Sequence, residues 1–302
     1  NNDKYAVAVR KPDKEIELKV TEYTPIGEKC KIFKWPIIRG VFNFIDSLIV
    51  GMKTLMYSGE FIEEEEITKN TKASKTEEAD AAAMSGKEEK SGGMDGASIF
   101  FTLAFSIILA IGLFMLLPAF LVSLLDGIID NHFVLSLIEG VVRLAIFMLY
   151  VLGISLMQDI KRTFMYHGAE HKTINCLEHN LELTVENVMS QSRFHKRCGT
   201  SFLFIVMIVS IFVFMFIKTD IIWLRLVSRV LLVPLVAGIS YEFIRFAGRS
   251  DSAFANILSQ PGLWVQRITT KEPTPDMIEV AIRSVEGVLD WRAYLEEQRT
   301  DG

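Results

Sequence analysis

The sequence is short of cysteine, with three in 302 residues. That odd, small number does not form the disulfide framework of a small secreted domain. Three free thiols suit a reducing, cytoplasm-facing setting better. Histidine is scarce too: five residues, too few for the multi-histidine di-iron sites of membrane desaturases. Positive charge is not in excess. Lys and Arg number 32 against 37 Asp and Glu, with net charge −5 and pI about 5.7, which argues against a dedicated nucleic-acid binder. Neither a G-x-S-x-G elbow nor a P-loop occurs, which removes two common routes to hydrolytic and phosphate chemistry. The chain opens on Asn1 without a signal-peptide pattern, and it is expected to be a fragment of a longer protein.

What is plentiful is uncharged apolar sequence. From Gly96 to Leu125 there is no charged residue, a run longer than the roughly 20 residues a helix needs to cross a bilayer. Four spans are predicted, at 98–125, 133–157, 200–217 and 221–246. The first contains Pro118, which membrane helices tolerate when a neighbour satisfies the freed carbonyl. The expected fold is mainly α. It is a polytopic membrane helical bundle of about four transmembrane helices, with a small N-terminal β-hairpin and a cytoplasmic metal-site loop or helix.

Charge placement orients the bundle. The connection 126–132 has no Lys or Arg, whereas 158–199 carries Lys161, Arg162, Lys172, Arg193, Lys196 and Arg197, and Arg249, Arg267 and Lys271 follow the last span. The positive-inside rule puts these basic segments in the cytoplasm. A multi-pass protein of the bacterial cytoplasmic membrane with both termini inside is expected. Within the spans, Glu139 and Arg143 are four apart and share one helix face, so they predict an intramembrane ion pair. Arg225 and Arg229 are expected to snorkel to the outer interface.

The flanking segments divide as follows. Alternating runs on both sides of Lys11-Pro12-Asp13-Lys14 predict a hairpin within 1–30. An apolar face over 35–59, broken by Arg39, Asn43, Asp46 and Lys53, predicts an amphipathic membrane-associated helix, with a re-entrant span as the competing reading. The stretch 60–97 holds eleven acidic residues and five Lys, so the acidic excess belongs to it. It has too little apolar surface to offset its ordering entropy and reads as a flexible acidic linker. Residues 98–157 and 200–246 are two transmembrane hairpins around a cytoplasmic His/Cys segment at 158–199. The C-terminal region, 247–302, opens with an interfacial segment at 261–266 that puts Trp264 at headgroup level. A single soluble helix follows, from Thr274 as N-cap and Pro275 as first residue to about Gln298.

The sharpest chemical signal is in 158–199, which holds His167, His171, His179 and His195 and two of the three cysteines, Cys176 and Cys198. His167-Gly-Ala-Glu170-His171 is an H-x-x-E-H pattern. On a helix its histidines are one turn apart and can reach one metal ion, with Glu170 beside them as a general base. His195 and Cys198, three apart, are candidates for the remaining ligands, and two His with a His/Cys set suit tetrahedral Zn2+ or another divalent transition metal. Four ligands would make a closed, structural site, and three would leave one position open. Glu178 is seven residues past His171, about 10 Å along the axis, so it is expected behind the ligands, as are Arg197 and Glu242. Cys176 is expected to pack in the core, His179 to be exposed near a helix end, and His132 to lie in the outer turn.

Several segments together resemble the YqhQ-type bacterial membrane family, domain of unknown function family 1385. They are Tyr166 to Thr173, Glu178, Leu183 to Asn187, His195 to Phe202, Arg39-Gly40, Pro234 to Arg245, Gln266 through Pro273 and Glu279 to Ile282. The resemblance covers nearly the whole chain. It implies a metal-dependent enzyme and attaches no substrate to it. Three functions are expected to compete. One is a metal-dependent hydrolase with Glu170 as base. Another is a non-enzymatic scaffold, self-associating as a homo-oligomer through the 35–57 helix, whose metal is structural. The third is a small-solute or ion transporter using Glu139, Arg143 and Glu242. The expected partner is the lipid bilayer, with no nucleic acid.

Overall fold

The computed structural model describes residues 3–77, 96–125, 127–217, 222–248 and 252–300. The turn at 218–220, Asp126, Arg249 and the side chain of Arg225 lie outside the described residues. Strands β1 (Lys4–Arg10) and β2 (Ile16–Glu22) form the expected antiparallel hairpin, in register from Lys4 opposite Glu22 to Arg10 opposite Ile16. Its turn closes with Lys14 N donating to the Lys11 carbonyl at 2.9 Å.

Helix α1 (Ile38–Glu77) starts where the amphipathic helix was expected and does not stop at residue 59. Between 60 and 77 the sequence has neither Gly nor Pro and is rich in Glu and Lys, so local propensity carries the helix into the expected linker. The rest of that linker, 78–95, lies outside the described residues. The N-terminal turns of α1 pack on a later helix, α8 (Ile222–Ala247). A Cβ at Gly40 would come within 2.7 Å of the Tyr241 Cβ, so the glycine permits this crossing.

Four apolar helical segments follow α1. Helices α2 (Gly96–Ile111) and α3 (Leu117–Ser123) are joined by a π turn over Gly112–Leu116 and run as one apolar rod. Next comes α4 (His132–Ile154), and α7 (Gly199–Met215) precedes α8. The stretches Phe101–Ser123, His132–Ile154 and Val227–Ala247 are long and apolar enough to cross a membrane. The expected third span, α7, is equally apolar but only 17 residues long.

The charges within the apolar helices form a larger group than the expected pair. Arg143 Nη2 donates to Glu139 Oε1 at 2.8 Å, and Arg229 Nη2 reaches the same oxygen at 2.6 Å. Arg229 therefore turns inward and is buried, against the expectation that it would snorkel. An isolated guanidinium in an apolar bundle is costly, and the Glu139 carboxylate is the nearest relief. Arg143 Nε also donates to the Phe114 carbonyl at 3.0 Å. Pro118, four residues after Phe114, has no N–H to offer that carbonyl.

The remaining helices build a head that positions the histidines. They are α5 (Gln158–Glu178), α6 (Val185–Ser190), α10 (Pro275–Glu286) and α11 (Trp291–Thr300). Ala169, Cys176 and Leu177 of α5 share a core with Leu183, Val188, Met277, Ile278, Ile282, Trp291 and Leu295. Each large apolar side chain fully buried there is worth about 1.5–3 kcal/mol. The single C-terminal helix expected to Gln298 is in fact two helices. Gly287 caps α10 against Ala6, Leu18 and Val20 of the hairpin, and Asp290 Oδ1 restarts the chain by accepting from Arg292 N and Ala293 N. The hairpin is bound to the same head, since Arg10 donates to the Asp276 carbonyl and pairs with Glu279, both at 2.7 Å. Helix α9 (Ala253–Thr269) absorbs the expected interfacial segment and packs along α7.

Candidate metal centre

Helix α5 carries two of the candidate ligands. Ala169, Cys176 and Leu177 face the head core, so His167 and His171, one turn apart, look the other way. Gly168 makes room there. A Cβ at this position would fall on the Lys271 carbonyl oxygen, and Lys271 N donates to the Phe164 carbonyl at 2.9 Å. The chain leaving α9 can therefore lie directly on α5. That brings the Thr269 carbonyl within 2.9 Å of His167 Nδ1. His171 Nδ1 is bonded likewise to the Arg193 carbonyl at 2.7 Å. A carbonyl only accepts, so both Nδ1 atoms carry the proton and both Nε2 atoms are the ones presented to the centre.

Cys198 arrives from the other side as the N-cap of α7, its Sγ accepting from Thr200 N at 3.4 Å and lying 3.1 Å from Thr200 Oγ1. His167 Nε2 is 3.2 Å from that sulfur. One ligand atom each from His167, His171 and Cys198 lie within 4.8 Å of one another, and His171 and Cys198 are buried. Burial by itself would raise the Cys198 pKa. Hydrogen bonds from His167 and His171, the His167 charge and Thr200 outweigh it and bring the thiol down to about 5. Burial pulls the other way on His167, but its bond to Cys198 and the nearby sulfur charge leave its pKa raised, with the Glu170 carboxylate adding to the shift. Cys176, enclosed in the head core, is pushed up to about 11 by burial alone.

The remaining candidates take up other positions. The His195 ring is 5.7 Å from that of His171, but its Nε2 is turned to the Glu178 carboxylate at 3.3 Å. Burial lowers the His195 pKa, against the pull of Glu178. Glu178 also pairs with Arg197, so these two stand beside the cluster as a strut for His195. Glu170 is exposed on α5 and is not among the three gathered donors. Glu242 pairs with Arg39 and accepts from Ile37 N, which ties the start of α1 to α8, and no contact joins it to the His/Cys group among the described residues. His179 caps the exposed end of α5 and bonds Gln191. His132 begins α4.

Sequence reasoning missed three residues. Gln266, fully buried on α9, accepts from His195 N at 2.9 Å and donates to the His195 carbonyl and to Ser201 Oγ, both at 2.7 Å. Gly168 and the Thr269 carbonyl fix His167. Gly168 carried a local signal, as a helix-weakening residue beside a candidate ligand, and all three lie in segments that carry the family resemblance.

Two imidazole nitrogens and a thiolate are a donor set for zinc or a related divalent transition metal, and three protein ligands are the number found in catalytic zinc sites. The same contacts also describe a thiolate beside an imidazolium, the arrangement of a cysteine nucleophile.

Comparison with known proteins agrees in extent with this architecture. Residues 35–291 match the family model described as a protein of unknown function, DUF1385. The chain is 35% identical over 300 residues to the uncharacterized protein YqhQ of Bacillus subtilis strain 168, covering 98% of this chain and 90% of that protein. No solved structure matches. The match spans the hairpin, the apolar helices and every residue of the His/Cys group, and the chain belongs to the DUF1385 family.

Proposed function

We propose that this protein is a metal-dependent hydrolase of the bacterial cytoplasmic membrane, with His167, His171 and Cys198 holding one divalent transition metal, zinc in the first instance. The observation that carries the reading is the convergence of three donor atoms within 4.8 Å from two separate elements. The carbonyls that fix both histidine tautomers support it. When bound, such an ion supplies Lewis-acid polarisation of a carbonyl or phosphoryl oxygen.

The chain's own residues do the rest. Thr269 and Arg193 hold the imidazoles in one tautomer, and Thr200 and the start of α7 favour the Cys198 thiolate. Glu170 serves as the general base that accepts the proton of the attacking water, in keeping with its place in the H-x-x-E-H pattern. The basic residues of α5 and the segment after it favour a cytoplasmic head.

Metal analysis of the purified protein tests this reading. About one ion per chain is expected. It should be lost in His167→Ala, His171→Ala and Cys198→Ser, and kept in Glu170→Gln and His195→Ala. Hydrolysis of ester or amide probes by the reconstituted protein should disappear in Glu170→Gln while its metal content stays unchanged. The 3.2 Å contact between His167 and Cys198 favours a second reading, an acyl-transfer centre with Cys198 as nucleophile. That reading predicts protein that is active without metal and loses activity on alkylation of Cys198.

A further inference from the structure

Helix α9 is built inside out for a helix bathed in water. Its buried stripe is Ala255, Ser259, Gly262, Val265, Gln266 and Thr269, mostly small or polar. Its outward side chains include Phe254, Ile257 and Trp264, which are 63%, 70% and 58% exposed and recur at helical spacing. A helix at a water boundary turns its large apolar side chains inward. The reverse arrangement belongs in lipid, where small residues let backbones approach and nothing drives large apolar side chains off the outer face. Gly262 marks such an approach, since a Cβ there would come within 2.7 Å of Ser201 on α7.

The outward face of α9 also continues an apolar surface already present. The Phe254 ring lies 6.4 Å from that of Phe246, an exposed residue at the end of the membrane-crossing stretch Val227–Ala247. Arg267, exposed in the last turn, is placed to reach lipid headgroups.

We infer that α9 is a bilayer-immersed helix, additional to the crossing helices, whose outward face is occupied by lipid. Its hidden face is bolted to the His/Cys group: Gln266 holds the His195 backbone and the Thr269 carbonyl holds His167. The helix therefore fixes the depth of that group at the headgroup level of the membrane. This inference is independent of whether a metal binds there.

The test uses the full chain reconstituted in phosphatidylcholine vesicles, with the fluorescence difference between wild type and Trp264→Phe as the readout. Phosphatidylcholine brominated on its acyl chains is expected to abolish most of that difference, more so with bromine near the headgroup end than near the terminal methyl. Aqueous iodide is expected to leave most of it intact. Iodide quenching that exceeds bromolipid quenching would show the face in water. Protection from both quenchers would show it covered by protein, such as a second copy. Either result overturns the inference. An unchanged thermal transition in Trp264→Phe verifies that the difference spectrum compares like folds.

Discussion

At the scale of single residues, Gly168 shows how tertiary context reverses a local preference. In an exposed helix, Gly→Ala stabilises by about 1 kcal/mol. At 168 the new methyl would occupy the Lys271 carbonyl, and overpacking of this kind costs about 1–3 kcal/mol. Gly168→Ala is therefore expected to lower the thermal unfolding midpoint in detergent. It should also weaken metal retention, because the clash pushes the Thr269 carbonyl off His167. Cys198 offers a titration. Its folded pKa is about 5 against an ordinary value of 9.0. A depressed thiol stabilises the fold fully above its unfolded pKa, and the contribution is lost as pH falls through the folded one. In chelator-treated protein, the short-wavelength ultraviolet absorbance of the thiolate should fall as pH is lowered, with a midpoint near 5, and Cys198→Ser should remove that step. Cys176, raised to about 11, stays a thiol throughout that range. Spacing alone made His167, His171 and Cys198 candidates, but it did not distinguish Cys198 from His195 as the third donor. That choice depends on which ring finds a carboxylate, and Glu178 claims the His195 nitrogen.

At the scale of elements, the apolar helices are locked by one carboxylate serving two guanidiniums. Removing Glu139 leaves two buried guanidiniums without the carboxylate they share, whereas removing Arg229 leaves the Glu139–Arg143 pair intact. Breaking a buried pair by deleting one partner costs about 3–5 kcal/mol. Glu139→Gln should therefore unfold at a clearly lower temperature than Arg229→Gln, as read by thermal scanning in a single detergent. The π turn and Pro118 belong to the same device, because Arg143 also donates to the Phe114 carbonyl. The expected pairing of Glu139 with Arg143 came from their spacing of four on one helix. Arg229 was instead expected at the outer interface, because its partner lies on another helix and no periodicity links the two. Helix α9 makes a comparable case. Gln266→Leu should cost about 1–3 kcal/mol, since it strands the buried N–H and carbonyl of His195.

At the scale of the whole molecule, the head joins the two ends of the chain. The N-terminal hairpin packs on α10 through Arg10 and Gly287, and α5 and α11 share one core with α10. Residues from both ends therefore lie in one body on one side of any membrane the bundle crosses. Reporter fusions at Asn1 and Gly302 should give the same sidedness, with cytoplasmic activity expected from the basic segments around α5. The same geometry bears on α7. It leaves the head at Cys198, against His167, and α8 comes back beside Arg197 at Gly248. Seventeen residues span about 25 Å, short of a hydrocarbon core of about 30 Å, so a crossing by α7 requires local thinning or flanking polar side chains that reach outward.

The order and character of the segments follow from the sequence alone: a hairpin around Pro12-Asp13, long uncharged apolar runs, and two imidazoles one turn apart on a helix. These are periodicities and short spacings, and each is written in neighbouring residues. Tertiary structure decided what those residues meet. Thr269 reaches His167 across 102 positions and Cys198 reaches it across 31. The groups that set the tautomers are backbone carbonyls, which every residue possesses and no pattern of side chains marks. A partner of that kind is chosen by where packing puts the chain, and here a glycine with no side chain made the place.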